Sequence, residues 1–429
     1  MCIMKRVIIT VLLGLSLFGC SFSEVESEPK NVVVQSLTDP CEPGATACED
    51  SSLRTCLSNG TWSDPIACPS PEDPNLHQVG ACLSNTCTVQ CATNYDDCEP
   101  SQNGCESNLQ ITANHCGSCS RDCLDGPCSS AICQPVELTS GAWAIHRLAL
   151  DESYIYWTEP LYTTGTVVRM PKSGGSPTIL ADGQPNARWI TIANNKLYWT
   201  TTNIVNGFYK GSVQSMAMEG GTVTTIISGV NSLGGYANPV AIGANYVYWL
   251  DNYNIRKAPL TGGSTTTIWY GGYPSGFIAS IVATPTYVYW GISDPVDSVK
   301  RAAVSNGVVS DVATNQENPY TLFVLDPYLY RVNTGTGYPY NGNISRTNMN
   351  TLVSETITTN ETTPVQITSD GVYAYWTSGS GGSILRKAPV TGGSVETVTV
   401  SANGVRANIV VDGPYLYWTV NEQVVRVAK

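Results

Sequence analysis

The chain has 429 residues, of which 42% are hydrophobic and only 13% charged, with a formal net charge of −12. That is the composition of a folded polypeptide longer than one ordinary domain, neither disordered nor fibrous. Residues 21–135 hold 16 acidic and 3 basic side chains against 18 and 17 in 136–429, and neither part has the Lys/Arg stripe that a nucleic-acid partner requires.

Lys5 and Arg6 precede an apolar run from Val7 to Phe18, too short to span a bilayer and suited to the middle of a signal peptide. The next residues, Leu17, Phe18, Gly19 and Cys20, resemble the lipobox of bacterial lipoproteins. The resemblance implies removal of the signal, acylation of Cys20 and membrane attachment through that lipid alone. Ser21 is not the Asp that in this family favours inner-membrane retention, so an outer-membrane anchor, with exposure at the surface, is expected. Residues 1–20 are thus read as the signal segment, and 21–40, acidic and aperiodic, as a solvated tether.

Residues 41–135 form a disulfide-rich segment. It contains Cys41, Cys48, Cys56, Cys68, Cys82, Cys87, Cys91, Cys98, Cys105, Cys116, Cys119, Cys123, Cys128 and Cys133. This even number outside the cytoplasm predicts seven disulfides. Pairing is expected within the group Cys41–Cys68 and within the group Cys82–Cys133; spacing does not give the connectivity. Cys116 and Cys119 make the segment's one CxxC, beside His115, where a double-knuckle zinc site wants two such pairs and a redox motif wants a βαβ setting. Asp96, Asp97 and Glu99 read as a solvated acidic cluster before they read as a calcium site, so no metal and no cofactor are expected. The stretch with Asn103, Gly104, Cys105 and Glu106, then Asn114, His115, Cys116 and Gly117, resembles cysteine-rich modules of secreted bacterial proteins. That resemblance implies an extracellular setting without an activity, and the segment reads as a cross-linked stalk or spacer.

From residue 136 the chain repeats. A Tyr-Trp pair recurs at Trp157, Trp199, Trp249, Trp290, Trp376 and Trp418, with Tyr330-Arg331 at one degenerate position. The steps are 42, 50, 41, 41, 45 and 42 residues, a propeller-blade period. Each unit reads as four strands: a short apolar one, the Tyr-Trp strand, a third with a basic residue near its end, as at Arg169, Arg256 and Lys257, Lys300 and Arg301, or Arg386 and Lys387, and a Thr/Val-rich fourth. Gly-Gly turns at 174–175, 220–221, 262–263 and 392–393, with Asn306-Gly307 in one unit, supply the last hairpin. The Tyr-Trp strands are apolar on both faces, which a sheet needs only when neighbours cover both. The last unit lacks a fourth strand, and residues 136–141 match one, so the prediction is an all-β, seven-bladed β-propeller over 136–429, with six or eight blades as the alternatives.

The Tyr-Trp-Thr runs at Tyr156, Tyr198, Tyr375 and Tyr417 resemble the YWTD propellers of lipoprotein-receptor ectodomains. The resemblance implies the architecture and not the partner; the family's Asp is absent here, and its blades number six. A catalytic set does not emerge. His146 is the one histidine of the repeat region, and Asp151, Asp370 and Asp412 occupy equivalent turns where Asp suits the backbone. A lyase or lactonase is therefore the weaker alternative to a binding scaffold, with a purely structural envelope protein as the other. The aromatic residues of the 4→1 and 2→3 connections, which open on one face of a propeller, are the candidate contacts: Tyr162, Phe208, Tyr209, Tyr236, Tyr253, Tyr273, Phe277, Tyr320, Tyr338 and Tyr340. The expected partner is an extracellular or envelope protein or glycan.

Overall fold

The computed structural model describes residues 40–429 except 100, 103, 140–144, 146, 232–239, 252, 272–276, 294–296, 337–339, 402–403, 405–407 and 421. The lipobox and the tether up to residue 39 lie outside the described residues. No helix among the described residues is long and apolar enough to cross a membrane. Among the described residues two compact units emerge, one comprising residues 40–70 with Gly80–Gln90, the other Pro71–Val79 with Cys91–Lys429.

The first unit is built on a sheet of Thr46–Glu49, Ser52–Thr55 and Ile66–Ala67. Its disulfides are Cys41–Cys56, Cys48–Cys82 and Cys68–Cys87. The last two join the groups within which pairing was expected and so correct that expectation. The reason lies at Gly80, whose backbone runs so close to Cys68 that a Cβ there would sit 2.0 Å from the Cys68 carbonyl oxygen. Only glycine permits that approach, and it carries Cys82 and Cys87 back to the cysteines of the earlier group.

The second unit contains seven four-stranded antiparallel sheets. The first runs Leu148–Leu150, Tyr154–Glu159, Thr166–Pro171 and Thr178–Ala181 from inside out. In the seventh, Val410–Asp412, Tyr415–Val420 and Gln423–Ala428 are completed by Val136–Thr139 from the other end of the repeat region. Val136 pairs with Arg426, Glu137 with Val425 and Thr139 with Val424. The innermost strand of every sheet lies beside that of the next, and Leu148–Leu150 lies beside Val410–Asp412.

The Tyr-Trp pair explains this arrangement. Successive side chains on a strand point to opposite faces, so the Tyr enters the core shared with the following sheet and the Trp the core shared with the preceding one. Tyr156 thus packs in one apolar cluster with Trp199, Tyr198 with Trp249, Tyr248 with Trp290, Tyr330 with Trp376 and Tyr375 with Trp418. Tyr417 packs with Trp157, joining the last sheet to the first. All twelve of the largest fully buried side chains belong to this motif: the six Trp and six of the Tyr. Each such ring removes roughly 150–250 Å² from water.

The basic residue of the third strand has a definite role. It pairs across the strands with the second Tyr of Tyr-x-Tyr and lies over the ring of the first: Arg301 over Tyr287 at 4.3 Å, Arg346 over Tyr328 at 4.2 Å, Arg426 over Tyr415 at 4.5 Å. Arg169, Lys257 and Lys387 do the same over Tyr154, Tyr246 and Tyr373. Several then donate to a backbone carbonyl of the next sheet, Arg301 to Met349 at 2.9 Å and Arg426 to Lys172 at 2.7 Å. The second sheet has Lys196 in place of that Tyr and Ser215 in place of that cation, so both partners are replaced together.

Cys116, Cys123, Cys128 and Cys133 share a core with the sheets, so this part of the cysteine-rich segment does not belong wholly to a separate spacer. Cys91–Cys105, Cys98–Cys119, Cys116–Cys128 and Cys123–Cys133 cross-link residues 91–133, and the last two disulfides are buried in one cluster with Tyr375, Leu385, Val398 and Trp418. Arg121 donates to the carbonyl of Val398 at 2.8 Å, and Asp125 pairs with Arg426. The CxxC cysteines thus take different partners, and the Cys116, Cys123 and Cys133 cluster that has the compactness of a metal site is oxidised.

Candidate functional site

The second sheet departs from its neighbours by the length of its middle strands. Lys196–Val205 and Phe208–Ala217 each run ten residues and pair throughout, which accounts for the long 50-residue step in the repeat. They turn at Asn206-Gly207, with φ of 52° and 81°, the left-handed pair of a two-residue hairpin turn that Asn-Gly favours. The projecting tip exposes Ile204, Val205, Phe208 and Tyr209.

Beside this tip a cleft of about 260 Å³ is lined by Tyr162, Thr163, Asn186, Thr202, Asn203, Ile204 and Tyr209. Tyr162 comes from the 2→3 connection of the first sheet, Asn186 from the 4→1 connection that follows, and the rest mostly from the hairpin. The hydroxyls of Tyr162 and Tyr209 lie 2.8 Å apart in a hydrogen bond that raises the pKa of Tyr162. No lining side chain is charged. Such a cleft offers two aromatic faces and a set of neutral donors and acceptors.

Of the ten aromatic residues singled out from sequence, Tyr162 and Tyr209 are brought together. Phe208 stands at the adjoining hairpin tip. Tyr253, Phe277 and Tyr340 are exposed on connections of the third to fifth sheets, Phe277 bridging to Ser293. Tyr320 belongs to the inner strand Pro319–Leu325, at its register shift, and not to a loop. Tyr236, Tyr273 and Tyr338 lie outside the described residues. Asn186, Thr202 and Asn203 were not singled out; the long step and the Asn-Gly turn were the signals that mark their hairpin.

Arg147 stacks on Trp189 at 3.4 Å from the ring centre, beside a space of about 250 Å³ lined by inner strands. His146 lies outside the described residues. The turn carboxylates are structural: Asp151 accepts from the amides of Ser153 and Tyr154 and from the Tyr156 hydroxyl. Asp370 does the same with Val372, Tyr373 and Tyr375 and also receives the Lys429 ammonium. Burial works against both charges, but these donors outweigh it and hold both carboxyls below the ordinary range.

No protein-family model matches the chain, and no curated protein matches it. Among solved structures the chain is similar to the WD40 β-propeller domain of Doa1, at 10% identity and a TM-score of 0.51, covering 69% of this chain and 97% of that one. It is also similar to the extracellular domain of BT4673 from B. thetaiotaomicron, described as a hybrid two-component system. There the identity is 12% and the TM-score 0.50, over 69% of this chain and 39% of that one. At such identity the likeness establishes an all-β propeller fold and nothing about activity.

Proposed function

We propose that this chain is an exported lipoprotein, acylated at Cys20, whose closed seven-bladed propeller acts as a binding scaffold rather than a catalyst. Its ligand is an extracellular or envelope glycan, held in the cleft between Tyr162 and Tyr209. The cleft carries this reading: exposed aromatic rings stack on the apolar faces of sugars, while Thr163, Asn186, Thr202 and Asn203 suit hydroxyl groups. Its uncharged lining favours a neutral ligand, and a protein partner would use a broader apolar area than this cleft offers. The seven disulfides support export to an oxidising compartment.

The test is capture of the full chain on an array of neutral oligosaccharides and on isolated envelope glycan, beside a Tyr162→Ser/Tyr209→Ser variant. Both side chains are exposed, so the variant is expected to keep the unfolding midpoint and lose capture. Equal capture by the variant overturns the cleft as the site. Capture of protein but not glycan, or no capture by the unaltered chain, overturns the glycan reading in favour of a protein ligand or a structural role.

A further inference from the structure

The repeat supplies its own control. Six sheets bury a Trp at one position, and the fifth buries Arg331, only 2% exposed. The chain has kept the local hydrogen bonding. Trp199 donates its indole N–H to Gln184, and Trp376 donates to Glu361; each acceptor lies fifteen residues upstream of its donor. Gln316 stands at the same offset from Arg331 and accepts from its Nε at 2.7 Å. Thr347 accepts from Nη1. Among the described residues no carboxylate pairs with the guanidinium, and burial alone pushes its pKa down to about 10. A buried cation without a counter-ion is costly to keep.

The surroundings have changed with it. Asn333, Asn343, Ser345 and Thr347 form a polar column along the same strands. Asn333 is 2% exposed and gives its amide N–H to Gln316 and Asn343, yet its Oδ1 is buried without a hydrogen-bond partner. Arg331, Asn333, Asn343 and Ser345 line a cleft of about 400 Å³ between the fourth and fifth sheets, together with Gln316 and Glu317. The cleft thus contains a buried cation without a counter-ion among the described residues and a buried acceptor without a donor.

We infer that this cleft is a second ligand site, specific for a small hydroxy-carboxylate of the uronic-acid class. The ligand's carboxylate accepts from Arg331, and one of its hydroxyls donates to Asn333 Oδ1. Neither residue belongs to the Tyr162–Tyr209 cleft, so either assignment can fail alone.

Titration calorimetry on the full chain with D-galacturonate, D-galactose and acetate tests this. Galacturonate is expected to bind, and both galactose, which lacks the carboxylate, and acetate, which lacks the hydroxyls, to bind at least about tenfold more weakly. Arg331→Trp, which restores the residue of the other six sheets, is expected to weaken galacturonate by about 10- to 100-fold, the range of a charge-assisted hydrogen bond. Arg331→Gln serves in case the indole does not fit. Asn333→Leu is expected to weaken galacturonate while leaving acetate unchanged. The Tyr162→Ser/Tyr209→Ser variant is expected to bind galacturonate as the parent does. Absence of galacturonate binding, equal binding by both Arg331 variants, or acetate binding as tightly as galacturonate overturns the proposal.

Discussion

At the scale of the residue, the repeat is a set of paired requirements. A cation on the third strand lies over one Tyr, faces another and in several sheets reaches the next, and where the cation is lost in the second sheet the Tyr beneath it is lost too. This coupling is measurable. Arg301→Met removes a cation–π contact and a donor to the Met349 carbonyl, and is expected to lower unfolding free energy by about 1–2 kcal/mol. Tyr287→Leu removes the ring, and in the double variant the two losses are expected to sum to less than their separate costs. Strict additivity in urea unfolding would show that the contact contributes nothing. The basic residues were visible in the sequence as a regularity without a cause, because their partners come from the neighbouring strand and the next sheet. Arg331 was likewise visible as an exception, while the orphaned oxygen of Asn333 beside it depends on side-chain packing that no spacing encodes.

At the scale of the element, what could be read was what local chemistry dictates. Gly-Gly hairpins were legible because both residues require left-handed backbone, as Gly262 and Gly263 show with φ of 81° and 121°. The Tyr-Trp strands were legible because both faces are apolar. Disulfide connectivity was not, since it follows from a close approach at Gly80, and neither was the placement of Cys116, Cys123, Cys128 and Cys133 in the core of the sixth and seventh sheets. That placement makes the Cys123–Cys133 disulfide part of the propeller's stability. Cys123→Ala/Cys133→Ala is expected to destabilise the ring by about 2–5 kcal/mol, read by near-ultraviolet circular dichroism of the buried tryptophans. Cys41→Ala/Cys56→Ala, in the other compact unit, is expected to leave that transition unchanged. Equal effects of the two pairs would contradict the shared core.

At the scale of the whole molecule, the seventh sheet rests on a long-range joint. The seventh sheet is completed by residues some 290 positions away in sequence from those they pair with, Val136 with Arg426 and Glu137 with Val425. In the core, Tyr417 of the seventh sheet packs in one cluster with Trp157 of the first. The joint was deducible from the missing fourth strand of the last repeat, whereas the two clefts were not, since each combines strand residues with residues of a neighbouring connection. Native-state hydrogen exchange of the full chain tests the joint most directly. If the N-terminal strand closes the ring, the amides of residues 136–139 and 423–428 that join the ladder exchange only through the same cooperative opening as those of the Tyr-Trp strands. Exchange of both segments through local fraying, far faster than the Tyr154–Glu159 strand, would contradict a closed seven-bladed ring.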